Sequence, residues 1–579
     1  MGTRVRTLQG SILSVVVLLF LAGPLGCDGC QSEQSTMPET AQARAALLAE
    51  QFPATSDGIV MVEDWERFRT AAEDIERRLN DVVPMADMPF RFTREYLDVD
   101  LQSPKSWKTA GIDPDGGGAV GWMNGRPVIA VFAPDAPAFE THLTEKIASR
   151  WAASGDGVPS VRSRTVDGEN IKYIELEDGE LAWRWKGKLA LVALPSPASK
   201  DRETRSSDVV AMFGAVESSK SLAEDSGYTD FRDALETPPI SAFAPTKTVF
   251  SRLSKALSGP QAAQLEAIEK NATGFGLTIE LVDDGVRARS WIGLATESQI
   301  SIAEGNWRDL ATDQTLLGLR LSGNPAAIWS TFQDSDDPLA TRIRSSVEHW
   351  SNRLNVDFKP GVVEPMAGHL GLFFYGIAPN LGLREFNRAP FQGIQKVGLI
   401  AAAKLDDPER FGETASTVAE AIEGVDMRPV DVKEADEPAD VQVVTAEAVD
   451  GSAGAPIRGL VDGVVPLKIY LHDDTAALAT TAFSESTMVE YLKGNREESG
   501  SLADSDTLDL GATFATRDTL NGIYLNMVRT RSHLGDRLPS FPPLQRAIDG
   551  IQEILYSDTR VENGVFMDLT VHLTEPPSK

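Results

Sequence analysis

The sequence predicts an α+β protein of two related domains, each an antiparallel sheet of hairpins and meanders packed by amphipathic helices. Three observations lead there. Strand-like and helical periodicities interleave along the chain, turn signals join the strand-like runs, and the same order of elements returns in the second half. With 579 residues, 42% of them hydrophobic and 24% charged, the chain is long enough for more than one core; single domains centre on about 100–150 residues.

The first domain is expected over residues 41–300. Ile59-Val60-Met61-Val62 is a short apolar run that suits a buried strand. Asp64 then offers a helix cap, and Trp65, Phe68, Ala72, Ile75, Leu79 and Val82 recur on one helical face. Residues 119–123 and 126–132 flank Asn124-Gly125, whose preference for positive φ makes it a strong hairpin signal. Strand-like runs over 172–177, 181–185 and 188–194 follow, joined by Asp178-Gly179 and Lys186-Gly187, and read as a meander.

A second domain, a duplicate of the first, is expected over 310–579. Leu317–Leu321 is strand-like, and Asn324-Pro325 opens a helix carrying Ile328, Trp329 and Phe332. The stripe Leu339, Ile343, Val347, Trp350 and Leu354 predicts another helix ahead of the apolar Leu370–Tyr375. Residues 467–471 and 475–481 make a hairpin around His472-Asp473-Asp474. Two anchors align the halves. Val128-Ile129-Ala130 with Asp135 and Phe139 matches Ile400-Ala401-Ala402 with Asp407 and Phe411, at an offset of 272. Phe243-Ala244 with Thr248 matches Phe514-Ala515 with Thr519, at an offset of 271. The break is expected within the polar, acidic stretch 296–312.

The first thirty residues carry a different kind of information. Arg4 and Arg6 precede the apolar run Ile12–Ala22, and Gly23, Pro24 and Gly26 lead to Cys27. A basic start, a short apolar core and small residues at the cut define a secretion signal. Eleven apolar residues are too few for a bilayer span, which needs roughly 20. Residues 1–26 are therefore read as signal peptide and the polar 27–40 as a tether. Leu25-Gly26-Cys27 resembles the lipobox of bacterial lipoproteins, with its leucine one place nearer the cysteine than in the usual pattern. That resemblance implies lipidation at Cys27, with fatty-acyl chains such as palmitate holding the mature protein on a membrane. Both cysteines, Cys27 and Cys30, lie at this site, so no disulfide joins parts of the folded body.

Pro53, Ile59–Val62 and Asp64, with the turn Gly111-Ile112-Asp113-Pro114-Asp115 leading into a strand, resemble a family of uncharacterised bacterial envelope proteins built from duplicated α+β units. The resemblance implies architecture and no activity.

A net charge of −30 argues against binding nucleic-acid backbones or anionic lipid surfaces, which require basic patches. Asp113-Pro114-Asp115-Gly116-Gly117-Gly118 lacks the glycine and glutamate positions of a calcium loop and reads as a turn. Asp334-Ser335-Asp336-Asp337 precedes Pro338 and suits a helix start better than a cation site. The histidines 142, 349, 369, 472, 533 and 572 have no paired metal spacing, and His472-Asp473-Asp474 is explained by turn chemistry. Trp183 and Trp185, two apart on a strand, share a face and are expected in the core, although with Trp122 they would make a platform for sugar or peptide if exposed. No catalytic residue, metal ligand or cofactor is assigned from the sequence. The expectation is a lipid-anchored protein of the bacterial cell envelope, periplasmic or on the surface, whose partners are the membrane and an envelope protein or polymer. It is expected to work by binding or as a scaffold. Two rivals are a hydrolase with an acidic site and a carrier of an apolar ligand.

Overall fold

The computed structural model describes residues 40–79, 98–100, 102–123, 126–151, 160–166, 168–176, 179–194, 220–235, 240–247, 249, 272–282, 285–294, 310–323, 325–334, 338–377, 397–421, 425–432, 439–446, 467–480, 508–516, 521–534, 549–561 and 563–573. The expected secretion signal, most of the expected tether, Cys27, Cys30, Asn124-Gly125, Asn324 and residues 335–337 lie outside them. The protein is mixed α and β, and every described strand pairing whose register is resolved is antiparallel. Among the described residues no helix is long and apolar enough to cross a membrane. By contacts the chain divides into two compact units, 1–282 with 288–296, and 283–287 with 297–579.

In the first unit the strands are β1 (Gly58–Val62), β2 (Gly118–Met123), β3 (Arg126–Phe132), β4 (Arg162–Val166), β5 (Glu169–Leu176), β6 (Gly179–Lys186), β7 (Leu189–Ala193), β8 (Ile240–Pro245), β9 (Ala272–Val282) and most of β10 (Gly285–Leu294), whose residues 285–287 group with the second. Their pairing order is β4-β5-β6-β7-β3-β2-β1-β8-β9-β10. The helices are α1 (Ala41–Ala49), α2 (Trp65–Leu79), α3 (Pro104–Thr109), α4 (Ala136–His142, continued by Leu143–Ile147 and Ala148–Trp151) and α5 (Ser226–Asp233).

Local chemistry accounts for these elements. Asp64 caps α2, its carboxylate accepting from the Arg67 amide at 2.9 Å. Phe68 and Ala72 of α2 join Phe139, Leu143 and Ile147 in a core with Trp107, Val131, Val192 and Trp183. Each such large side chain removed from water contributes about 1.5–3 kcal/mol. Asp113-Pro114-Asp115-Gly116 is a turn, with the Gly116 amide on the Asp113 carbonyl at 3.1 Å and the Asp115 amide on its carboxylate at 3.0 Å. The turn's Pro114 and Gly116 carbonyls accept from the first amides of α2, so turn and helix start are one structure. Gly117 is required there: a Cβ would meet the Val62 carbonyl at 2.6 Å. Substituting Asp64→Ala removes the cap and an ion pair to Arg44, with an expected loss of about 1 kcal/mol. Chemical denaturation checks this, and an unchanged midpoint would refute the capping role.

The second unit contains β11 (Leu317–Ser322), β12 (Met366–Ile377), β13 (Val397–Leu405), β14 (Val425–Val432), β15 (Ala439–Ala446), β16 (Leu467–His472), β17 (Thr475–Ala479), β18 (Gly522–Asn526), β19 (Ile551–Val561) and β20 (Gly564–Leu573). These pair as β14-β15-β16-β17-β13-β12-β11-β18-β19-β20. Its helices are α6 (Pro325–Asp334), α7 (Pro338–Leu354), α8 (Pro408–Ala421), α9 (Asp509–Thr516) and α10 (Met527–Leu534).

The two orders are the same, strand for strand. A rung in the first unit runs Ala193, Val128, Gly121, Ile59, Phe243, Gly276. Its counterpart in the second runs Ala479, Ile400, Phe373, Gly318, Tyr524, Leu555. Val128 and Ile400 hold the same place, as the first sequence anchor requires. The helix caps agree too: Asp135 accepts from Ala138 at 3.1 Å, and Asp407 from Arg410 at 3.0 Å.

The second anchor is wrong. Phe243 lies in β8, whereas Phe514 lies in helix α9. The ladder counterpart of Phe243 is Tyr524, ten residues beyond Phe514. What repeats is an aromatic stack between a helix and the strand after it: Phe231 on Phe243 at 5.8 Å, and Phe514 on Tyr524 at 5.6 Å. A short sequence match confused the two members of that stack.

Candidate functional site

Most of the positions singled out in the sequence are absorbed by folding. Trp183 is 1% exposed, and Trp185 packs edge-on to Phe139 at 5.7 Å, so these rings belong to the core. Trp122 is buried as well. His472 and Thr475 close a tight hairpin in which Asp473 adopts positive φ. The Asp474 carboxylate pairs with Lys404, and its carbonyl accepts from Leu405 at 2.7 Å. His472 lies 3.4 Å from the Asp473 carboxylate. These contacts are those of a turn, with each acidic group already engaged or facing solvent.

Among the described residues the acids Glu63, Glu180, Glu553 and Asp568 are buried, and Glu180 pairs with Arg164. In the first unit Glu63, 1% exposed, pairs with Arg232, which also reaches Ser241 at 3.4 Å. Burial pushes the Glu63 carboxyl above its ordinary range, against the pull of Arg232. The nearby Tyr228 hydroxyl is pushed up to about 12, again chiefly by burial. In the second unit Glu553 is fully buried. It accepts from the Leu510 and Gly511 amides at 3.3 and 3.0 Å and from the Tyr524 hydroxyl at 2.9 Å, with His572 Nδ1 at 3.7 Å.

Glu553 does for α9 what a helix normally does for itself. The first helical hydrogen bond ends on the carbonyl of Leu508 (2.9 Å), whose apolar side chain has no oxygen to cap with. The counterpart helix α5 is capped by its own Asp225, which accepts from the Tyr228 amide at 3.0 Å. By ladder position the counterpart of Glu553 is Gly274, where a Cβ would strike Phe243 at 2.6 Å. Glu63 and Glu553 thus have structural partners.

A different kind of place lies between α6, α7 and the turn that follows α7. Trp329, Phe358, Val347 and Ala326 give apolar lining to a cavity of about 460 Å³. The rings of Trp329 and Phe358 are 5.3 Å apart and tilted by 46°. Ser330, Gln333, Glu348, Ser351, Asn352, Asp357 and Lys359 line the rest. Helical spacing builds this rim: Gln333 stands one turn beyond Trp329, Ser351 one turn beyond Val347, and Asn352 one turn beyond Glu348. Among the described residues, no hydrogen bond or ion pair engages the side chains of Gln333, Glu348, Asn352, Asp357 or Lys359.

The first unit also joins a tryptophan of the helix after its first strand to a second ring, although that tryptophan opens its helix whereas Trp329 stands one turn into α6. Trp65, on the helix after its first strand, meets Trp107, on the segment before its second strand, at 5.2 Å. Trp107 is 2% exposed, and Trp65 packs into the same core as Phe68, Ala110 and Ile112. One pair is therefore sealed into a core while the other lines an open groove.

Comparison with known proteins adds no assignment. No family model matches the chain, and no curated protein matches it. Among solved structures, crystal forms IV, I and III of TP0453 align with TM-scores of 0.23, 0.23 and 0.22 at 10%, 12% and 10% identity. The alignments cover 42%, 44% and 44% of this chain, and 79%, 80% and 81% of those chains. TM-scores this low assign neither fold nor function.

Sequence reasoning places Trp329 and Val347 on helices but singles out none of the polar rim. The helical repeat of polar residues beside the apolar stripe is the available signal. It is indistinguishable from an ordinary solvated face until the turn bearing Phe358 closes one end.

Proposed function

We propose that this protein is a lipid-anchored, non-catalytic binding protein of the bacterial cell envelope, built from two related domains of which the second carries the binding groove. The observation that carries the binding role is the difference between the aromatic pairs. A tryptophan on the helix after the first strand pairs with a second ring inside the core of one unit, whereas in the other unit such a pair adjoins a cavity lined by unengaged polar side chains. The common strand order and matched helix caps support descent of both domains from one ancestral unit. A hydrolase is less well supported, because the buried carboxylates Glu63, Glu180 and Glu553 are held by arginines and by helix amides. A carrier of purely apolar ligands is less well supported, since Glu348, Asp357, Lys359, Gln333 and Asn352 share the lining with the apolar side chains.

Export and anchoring rest on Arg4, Arg6, the apolar 12–22 and Cys27. Each acyl methylene buried in a bilayer contributes about 0.8 kcal/mol, so several chains hold a protein firmly. Cells fed an alkyne fatty acid are expected to label the wild-type chain and not Cys27→Ala. Equal labelling of the two would defeat the anchor.

A further inference from the structure

Within the binding reading, we infer that the groove of the second unit takes a neutral saccharide, a sugar ring or short glycan end stacked on Trp329 and Phe358. A pyranose has one flat C–H face and a perimeter of hydroxyls that each donate and accept. The groove offers the same division. Its lining includes the rings of Trp329 and Phe358 with Val347 and Ala326, and aromatic rings favour contact with polarised C–H edges. Its rim mixes carboxylate acceptors (Glu348, Asp357), amides that both donate and accept (Gln333, Asn352) and the Ser351 hydroxyl.

Size and charge narrow the ligand further. A cavity of about 460 Å³ falls within the range of small-ligand sites, ~300–1,000 Å³. The lining carries two carboxylates against Lys359, and the whole chain has a net charge of −30. Phosphorylated or carboxylated ligands are therefore repelled. A fatty acyl chain would strip water from Glu348, Asp357, Gln333 and Asn352 while giving no hydrogen bond in return, at a cost in affinity. The first unit's pair, Trp65 with Trp107, is packed into the core instead.

The test is calorimetric titration of the full chain in a detergent without a sugar headgroup. The probes are cellobiose, maltose and the N-acetylglucosamine disaccharide, with glucose 6-phosphate and palmitate as comparators. At least one neutral disaccharide is expected to bind. Trp329→Ala is expected to weaken it about tenfold or more, corresponding to roughly 1.4 kcal/mol. Trp329 is half-buried, so Asn352→Ala, on an exposed face of α7, is the second variant, expected to weaken binding severalfold with an unchanged circular dichroism melt. Absence of heat with all three disaccharides, undiminished binding in both variants, or binding of palmitate or the sugar phosphate alone would overturn the assignment. If disaccharide binding holds while Cys27→Ala still labels, the anchor falls and the groove stands; the reverse outcome removes the groove alone.

Discussion

Glu553→Ala is expected to be among the most damaging single substitutions in the chain, costing about 3–5 kcal/mol. The carboxylate has 0% exposure and accepts three hydrogen bonds, from two N-terminal amides of α9 and from Tyr524. Truncation leaves all three donors buried without an acceptor, at about 1–3 kcal/mol each before relaxation. The check is a calorimetric melt of the full chain together with hydrogen exchange at Leu510 and Gly511, since a chain of two units need not unfold in one step. A melt unchanged from wild type, with both amides still protected, would refute the assignment.

The same residue gives stability a definite pH dependence. Burial, reinforced by Asp509, holds the Glu553 carboxyl above its ordinary range, against the opposing hydrogen bonds from Tyr524 and the amides. The native state then binds that proton more tightly than the unfolded chain does. Its contribution is complete below the ordinary glutamate range and is lost as pH rises through the raised native value. Glu553→Gln, which cannot titrate, is expected to flatten this part of the pH profile. His572, at 3.7 Å, faces the same carboxyl, so the comparison is best made with His572→Gln as a second background.

The second large effect is expected at Glu63 and Arg232. Both are largely withdrawn from water, with side-chain exposures of 1% and 12%. Removing either partner strands the other's charge, so Glu63→Ala and Arg232→Ala should each cost about 3–5 kcal/mol. Replacing both by leucine should cost much less than the two single changes together, because a buried ion pair offers little net stability over an apolar pair of similar volume. Arg44, which donates to the Glu63 carbonyl at 3.2 Å and bonds the Asp64 carboxylate at 3.3 Å, keeps α1 joined to the end of β1 in all of these variants. Additive losses in the double variant, measured by chemical denaturation, would show that the two residues act independently.

The contrast between the enclosed acids also shows what is legible in the sequence. Asp64, Asp135 and Asp225 cap helices that begin at their own positions, and the first two stand out in the sequence itself as cap or anchor residues. Glu553 cannot stand out, because the amides it caps lie more than forty residues earlier in the chain. The groove is similar. Its apolar lining residues read as a helical stripe, and Phe358 joins them only because the segment before β12 folds back on α6.

Local alternation in the sequence was sufficient to determine β1, the β2–β3 and β16–β17 hairpins, the β5–β6–β7 meander and the helix start at Trp65, since each depends on neighbours a few residues away. It also determined the first anchor between the halves, where strand and cap keep one spacing. Only the tertiary structure decided that β8 lies beside β1, and β18 beside β11. It alone paired Phe231 with Phe243 and Phe514 with Tyr524, correcting the second anchor. Strand pairing and ring stacking over long sequence separations are set by which faces exclude water together, and that quantity has no local period to read.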